Sequence, residues 1–533
     1  MPNVRQYIGA RYVTKVYENS LDPSSAEWEN GVNYEPLVLV TYNNGSYLSK
    51  KDVPASIGDP ATHPQYWVQT GFYNGQILNL QQQIDHITKE FVTPEMFGAA
   101  GDGATDDTIA VQDALNSGAN VLLVNEYLIV ADASGVHHGL IVPSDIIIEG
   151  KGKLILDANN YTNYDVLYIK EQNNVIIRDI TIIGDAATHT GSTGEWGHGI
   201  IVDDSTNVTI DNVKVSACWG DGIVVTHLIT TDPMNQIAKN VNITNSLITG
   251  NGRNNISVIR GEDINISNCV LSGAYRTAPK AGLCIEPNTG YTIKNCHVDG
   301  CTTFDNDGMG IAVNHLTTSD NIGCVISNCV MNDATGLYGY FAGSATPTVH
   351  DIIEGNTFYN SKQFINGDTY AALVINNNFK MDAATSEIPI VMNRATAVFK
   401  DNYISEIRTN TTPAIEMKGA FSVCEGNIFK TVQTSAGGYL ITMGTDAAFV
   451  YNTTDIINPQ LSGVVEMTST SHVNVSHNTI KGRSQAPVHM VVAAGLTTDT
   501  EKVALNDMTL AGTVCSPTGL TQPGNVVNNT FVA

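Results

Sequence analysis

Residues 207–215 read NVTIDNVKV, and the same cadence returns as INISNCVL at 264–271 and YTIKNCHV at 291–298. Branched aliphatic residues alternate with polar ones, which is the period of a strand with one buried face. An asparagine interrupts each run. Asparagines stand at matching points at Asn212, Asn245, Asn268, Asn295, Asn328, Asn356, Asn378, Asn402, Asn427 and Asn478, with successive intervals of 33, 23, 27, 33, 28, 22, 24, 25 and 51 residues. The last gap holds one more repeat without a clear asparagine. Asparagine tolerates left-handed backbone, and its amide can stack along a turn. A unit of 22–33 residues with one β-rich stretch and one turn is a solenoid coil. The Leu-x-x-Leu-x-Leu signature of leucine-rich repeats is absent. The expected fold is all-β, a parallel β-helix.

Upstream, residues 93–118 read TPEMFGAAGDGATDDTIAVQDALNSG. The glycines make a tight turn, Asp106 or Thr105 can cap a helix, and Ile109, Val111, Ala114 and Leu115 give that helix an apolar side. The stretch resembles the entry motif of the pectate-lyase-like (polygalacturonase-like) superfamily, which includes phage tail spikes. The resemblance is specific at this motif and extends at fold level over residues 94–480. It implies a right-handed β-helix whose open N-terminal end is plugged by the helix, with the motif's carboxylates structural. It further implies a bacteriophage tail-spike or receptor-binding protein. Such a protein is a homotrimer on the virion tail, acting outside the host cell on a bacterial surface polysaccharide.

Residues 1–75 are richer in Tyr and Trp than the rest of the chain. VLVTYNNGSYLSK (38–50) reads as two strands around Asn43, Asn44 and Gly45, with Trp28, Tyr34, Tyr42, Tyr47 and Trp67 as the core of a small β-module. The segment resembles compact carbohydrate-binding modules of chitinases and N-terminal pieces of tail proteins from phages of Gram-positive hosts. Sugar binding and attachment to other virion tail proteins therefore both stay open. In NGQILNLQQQIDHITKEF (74–91), Ile77, Leu80, Ile84, Ile87 and Phe91 step by 3, 4, 3 and 4. That is a coiled-coil seam, so a short helix over 76–93 either starts a trimer or packs on its own chain. The solenoid is expected over 94–480, and 481–533 as a C-terminal cap or trimerisation segment.

Hydrophobic residues make up 42% and charged residues 15% of the 533, neither a disordered nor a membrane composition. The apolar runs, such as that around Ile146–Ile148, are too short to span a bilayer. The start, MPNVRQYIGARYV, has no apolar core and no cleavage site. Synthesis in the host cytoplasm without a signal peptide, and release by a route such as lysis, is expected. Net charge is −25, from 52 acidic and 27 basic residues, the reverse of what phosphate contacts need, which excludes nucleic acid as the main partner. Strongly anionic polymers are repelled at long range, although local arginines could still hold one. The nine cysteines show no zinc-site spacing. Cys269, Cys296 and Cys329 each follow an asparagine and are expected as small buried hydrophobes.

Coils between 179 and 328 carry extra material at 185–197, 227–239, 272–281 and 302–308. These insertions flank a second strand series: HGIIVDD, DGIVVTH, NNISVIRG, AGLCIEPN and GMGIAVNH. Loops on both flanks of one sheet wall a groove, as a polymer site requires. Aligning the strands puts His198, Asp221, Asn254, Ala281 and Met309 in one column and Asp203, Thr226, Ile259, Glu286 and Asn314 in another. Glycosidic cleavage needs two carboxyl groups roughly 5–9.5 Å apart. Glu286 could meet Asp305 or Asp307, and Asp221 could meet Glu195 or Asp203. Asp203 and Glu286, three coils apart, stand roughly 14 Å from each other at ~4.8 Å per coil. AGLCIEPN (281–288) resembles a stretch common in phage β-helices, AGIDIEPN, matching at Glu286 and departing at Cys284. Trp196, Trp219 and Tyr275 offer aromatic faces for sugar rings, with His198 beside them. Arg253 and Arg260, with Arg276 and Lys280, could hold a uronate, a sialic acid or a teichoic phosphate, or simply pair with nearby acids.

These residues lead to a polysaccharide depolymerase, an endo-glycosidase working without cofactor. Two alternatives stay beside it. One is a lyase, in which Arg or Lys removes the proton α to a uronate and calcium could sit on Asp203, Asp204 and Asp221. The other is a fibre that holds glycan without cutting it. A free bacterial pectinase-like enzyme is a more distant option. A serine hydrolase is excluded by the missing GxSxG elbow.

Overall fold

The computed structural model describes residues 15–17, 19, 25–43, 45–70, 91–132, 138–227, 237–316, 320–342, 351–367, 372–381, 383–410, 413–433, 439–456, 463–467, 474–483, 488–493 and shorter stretches of 502–532. The helix expected over 76–93 lies almost wholly outside them. Near the N-terminus, Val38–Tyr42 and Gly45–Ser49 form a hairpin in the register Leu39↔Leu48, and Trp67–Thr70 adds antiparallel to its far side. Asn43 takes the left-handed conformation at the turn (φ 48°). Tyr34, Tyr47 and Trp67 are buried together, and Trp28 and Tyr42 pack on them. This aromatic core is separate from that of the solenoid.

The entry motif folds into a plug. Helix Thr108–Asn116 buries Ala110, Val111, Ala114 and Leu115, the last three on the solenoid core. Ile109, expected on that apolar side, faces outward (77% exposed) because its helical neighbours Ala110 and Val111 already fill the end of the coil. The acids of the motif are structural. Asp107 accepts the Ala100 and Gly101 N–H groups (2.6 and 3.0 Å), closing the glycine turn, and Asp106 accepts the N–H of Thr108 (3.0 Å).

Beyond the plug the chain winds as a right-handed β-helix with three long parallel sheets. One inward column runs Ile148, Ile177, Ile210, Ile243, Ile266, Val298, Ile326, Ile353, Val374, Phe399, Cys424, Phe449 and Val475, each paired with the next. All are buried, each contributing about 1.5–3 kcal/mol of burial. Eight cysteines of the described chain are buried free thiols within this core and face.

The asparagine repeat resolves into two columns rather than one. Asn212, Asn245, Asn268 and Asn328 turn the corner with φ between 51° and 54°, and Gly300 (φ 63°) takes that place on the coil between the last two. Asn295 lies inside strand Thr292–Asp299, in register with Asp263, and belongs to another column. The residue after each corner points inward: Val213, Ser246, Cys269, Cys301 and Cys329. From the next coil on, the inward place itself is asparagine. Asn356, Asn377, Asn402, Asn427, Asn452, Asn478 and Asn506 form a buried ladder, each donating its backbone N–H and Nδ2 to the Oδ1 of the next. The corner then falls to residues such as Gly355, Asn376, Asp401 and Gly426. Asn378, aligned with the others from sequence, belongs to neither column; Asn377 is the ladder member. Asn452 fills the 51-residue gap. Asn506 carries the ladder past residue 480, where Thr479–Arg483, Asp507–Ala511 and Thr530–Val532 pair in the same sheet. The described strands of 481–533, expected as a C-terminal cap or trimerisation segment, pair as further coils of the solenoid.

Candidate functional site

The third sheet carries the site. Its strands Trp196–Asp203, Ile223–Thr226, Ile256–Val258, Leu283–Ile285 and Met309–Leu316 are successive neighbours, paired as Ile200↔Ile223, Ile223↔Ile256, Ile256↔Leu283 and Leu283↔Ile311. That is the alignment read from the sequence. Its consequence is that residues just before each strand line one edge of the sheet, and Arg253 reaches across it.

Three carboxylates converge on Arg253. Its Nη1 donates to Asp221 Oδ2 (3.1 Å), its Nη2 to Glu286 Oε1 (2.7 Å), and its Nε lies 3.8 Å from Glu195 Oε2. Burial alone would lower the arginine's pKa, but Asp221 and Glu286 outweigh it and hold the guanidinium above its ordinary range. Asp221, 1% exposed, also accepts from the Asn254 N–H (2.8 Å) and the Ser257 hydroxyl (2.9 Å). It is a floor anchor. The acids that reach solvent are Glu286 (19% exposed) and Glu195 (36%). Since both approach one guanidinium, the two carboxylate oxygens that face it stand no farther apart than about 9 Å, below the upper limit for glycosidic acid pairs. Cys284, at the position where the resembling stretch has a second acid, packs with Ala281 and Ala312. Burial pushes its thiol well above the usual range, so it is a neutral filler under Glu286.

His198 is buried behind this cluster. Its Nδ1 accepts the Asp221 N–H (3.1 Å) and lies 4.0 Å from Asp221 Oδ2. Burial lowers its pKa to about 4, leaving a neutral ring at neutral pH. Trp196 (55% exposed) begins its strand at the end of the 185–195 loop, and Tyr275 (44%) stands on the 272–281 loop. Those loops are tied together by Arg276, whose Nη2 donates to the Gly194 carbonyl (3.0 Å) and to the Trp219 carbonyl (2.5 Å).

Other candidates fall elsewhere. Trp219 is buried between His189 (ring centroids 3.9 Å apart) and the Arg276 guanidinium (3.5 Å), so neither ring face is open to a sugar. Asp307 pairs with Lys280 (3.3 Å) and shares no hydrogen-bond partner with Glu286. Asp203 is fully buried and accepts the Tyr168 hydroxyl (2.7 Å), away from solvent. Arg260 is buried over the Tyr291 ring (5.1 Å) and beside Asp204. The loop 227–239 lies mostly outside the described residues.

The cation-binding set proposed from sequence is also rearranged. Asp203 and Asp204 gather with His227, not with Asp221, their ligand atoms within 4.8 Å of one another. His227 Nδ1 hydrogen-bonds Asp204, Tyr168 occupies Asp203, and Arg260 adds positive charge beside Asp204. Calcium takes six to eight oxygen ligands. The cluster offers an imidazole and an adjacent guanidinium in place of a full oxygen shell, while Asp204 Oδ1 and His227 Nε2 are buried with no hydrogen-bond partner among the described residues.

What the sequence reading missed is Arg253 as the hub. It lies in GNGRNN (250–255), just before the strand of the coil between Asp221 and Glu286. A guanidinium there can reach the acid of the coil on either side, and that spacing was the available signal.

Comparison with known proteins gives the fold a context. The model of the right handed beta helix region matches residues 141–296 and 198–379. The Bacillus subtilis protein YclG is 28% identical over 335 residues, covering 53% of this chain and 57% of that one. The capsule KN3-specific depolymerase 1 of Klebsiella phage KN3-1 is 30% identical over 242 residues, 41% of this chain and 27% of its own. The chain thus spans from about a quarter to a little over half the length of these curated relatives. Among solved structures, the tailspike protein of E. coli bacteriophage HK620 in complex with a pentasaccharide superposes with a TM-score of 0.52 at 12% identity, over 84% of this chain and 82% of that one. Among the described residues, no helix is long and apolar enough to cross a membrane.

Proposed function

We propose that this chain, whose right-handed β-helix is similar to those of phage tailspikes and depolymerases, binds a bacterial surface polysaccharide and cleaves it by endo-glycosidic hydrolysis. The observation that carries this reading is the convergence of Glu195 and Glu286 on Arg253, with two exposed aromatic residues close by in the chain: Trp196, which follows Glu195, and Tyr275, whose N–H donates to the carbonyl of Asn251, two residues before Arg253. Trp196 and Tyr275 stack sugar rings, whose axial C–H groups suit an aromatic face. Glu195 and Glu286 share the acid and base roles at the glycosidic bond. Arg253 fixes their spacing. Asp221 is a positioning residue that holds Arg253 from below. The protein works as a virion tail component, a homotrimer attached to other tail proteins through its N-terminal module.

The test is release of new reducing ends from a panel of capsular and wall polysaccharides, read beside the ultraviolet absorbance of unsaturated uronates. Glu286→Gln and Glu195→Gln should each lower turnover by about 10²–10⁴-fold, the scale of a lost acid or base, while glycan binding persists. Unsaturated product would replace hydrolysis by β-elimination. Binding of the host glycan without any cleavage would reduce the protein to an adhesin.

A further inference from the structure

The cations around the groove are already engaged. Between residues 179 and 328 the chain has seven: Lys214, Lys239, Arg253, Arg260, Arg276, Lys280 and Lys294. Lys214, Lys239 and Lys294 lie on strands of the other two sheets, at 214–216, 239–244 and 292–299. The four on the site side are committed one by one. Arg253 is held by Asp221 and Glu286, with Glu195 at 3.8 Å. Arg276 lies flat on Trp219 and donates to two backbone carbonyls. Lys280 meets Asp307 at 3.3 Å. Arg260 is buried over Tyr291 beside Asp204. The parts of 179–328 outside the described residues, 228–236 and 317–319, contain no Lys or Arg in their sequence.

The charge that remains is negative. Arg253 carries one positive charge against the three carboxylates that face it, and the ring of His198 is neutral. A uronate, sialate or phosphodiester entering here would meet carboxylates, with no open cation among the described residues of 179–328 to replace its water. Displacing Asp221 from Arg253 would leave a buried carboxylate without its counter-charge, held only by the Asn254 N–H and the Ser257 hydroxyl. The protein's overall charge of −25 adds long-range repulsion of a polyanion. The two exposed groups suited to a sugar, Trp196 and Tyr275, recognise C–H faces rather than charge.

We infer that the groove selects a neutral or amino-sugar polysaccharide and discriminates against uronate-, sialate- and phosphate-bearing ones. This rests on the groove being the glycan site proposed above. It also disfavours β-elimination, which needs a uronate carboxylate held by a cation.

The experiment measures binding of the full chain to immobilised polysaccharides in two arms, at low and moderate salt. One arm holds neutral and amino-sugar polymers. The other holds uronate-containing capsules, teichoic acid, and the same capsules after chemical reduction of their carboxyls to alcohols. The expected result is binding in the first arm with little dependence on salt. Carboxyl reduction should raise binding to any capsule of matching backbone by tenfold or more. Asp307→Asn, which leaves Lys280 without its acid, should strengthen binding to acidic polymers at low salt while leaving neutral ones unchanged. Native protein binding acidic capsules better than their reduced forms would overturn this inference and leave the functional reading standing. Binding in neither arm, with the same protein folded by circular dichroism, would overturn the functional reading and this inference with it.

Discussion

His198 shows how a single residue ties the site to stability. Its ring accepts a hydrogen bond from the Asp221 backbone and is 7% exposed, and burial holds its pKa at about 4 against an ordinary value near 6.5. Asp221 faces it with a favourable charge and Arg253 with an unfavourable one. Between these two values the unfolded chain binds more protons than the folded one, so this residue makes stability rise with pH through that window and stay level above it. Acidifying from pH 7 to pH 5 should therefore remove up to about 2 kcal/mol through this one ring. Thermal unfolding of the native protein and of His198→Asn, each measured across pH 4–8, isolates the term. The variant, whose amide oxygen can still accept the Asp221 N–H, should lose part of the acid-side fall in its midpoint. Parallel curves for the two proteins would mean that the imidazole is not held neutral. The site residues were legible in the sequence only as a neighbourhood. Glu195, Asp221 and Glu286 were identified, but an acid's partner depends on which long side chain crosses the sheet, and Arg253 was read as a substrate clamp. Trp219 was read as a sugar platform because its loop position is visible in sequence, whereas the His189 and Arg276 that enclose its ring arrive from other coils.

At the scale of the repeating element, the ladder of inward asparagines does what a purely apolar column cannot. Asn402 accepts from the backbone N–H and Nδ2 of Asn377 (2.9 and 3.0 Å) and donates to the Val374 carbonyl (3.0 Å) and to Asn427 (3.0 Å). Each coil's turn is thereby closed by the next. Asn402→Ala would strand the buried Asn377 N–H, at about 1–3 kcal/mol, and delete three further ladder hydrogen bonds, each worth about 0.5–1.5 kcal/mol net. Asn376→Ala, one coil earlier at a φ of 55°, should cost only about 1–2 kcal/mol of left-handed strain. Denaturant unfolding of both variants checks the order, and equal losses would show that the ladder adds nothing beyond turn geometry. The periodicity of these elements was readable because alternation survives any packing detail. The merging of two columns was not resolvable, since inward and corner places are adjacent residues and asparagine suits both: an amide to stack in one, a tolerated positive φ in the other.

Taken whole, the molecule is a supporting column with one elaborated stretch. Insertions and charged pairs collect on coils between 179 and 328, while later coils repeat with little addition, so the two ends should respond differently to removal. The N-terminal sheet has an aromatic core of its own, separate from the solenoid core, and the solenoid's first coil is closed by helix Thr108–Asn116. Deleting residues 1–75 exposes little that was buried in the column, and the groove should keep its glycan affinity. The other end has no such plug among the described residues. Stopping the chain after residue 480 removes Asn506, which accepts both the N–H and the Nδ2 of Asn478, itself 1% exposed. It also removes Asp507–Ala511, the partner of strand Thr479–Arg483. The result is a coil with buried donors unpaired and open parallel edges, the geometry that recruits strands from other molecules. Light scattering after size exclusion should show the N-terminally deleted protein as well dispersed as the full chain and the 1–480 protein as aggregate. Glycan binding should be retained in the first and lost with solubility in the second. A soluble, binding-competent 1–480 protein would show that the coils beyond 480 are dispensable and that stability in this solenoid is settled nearer the groove.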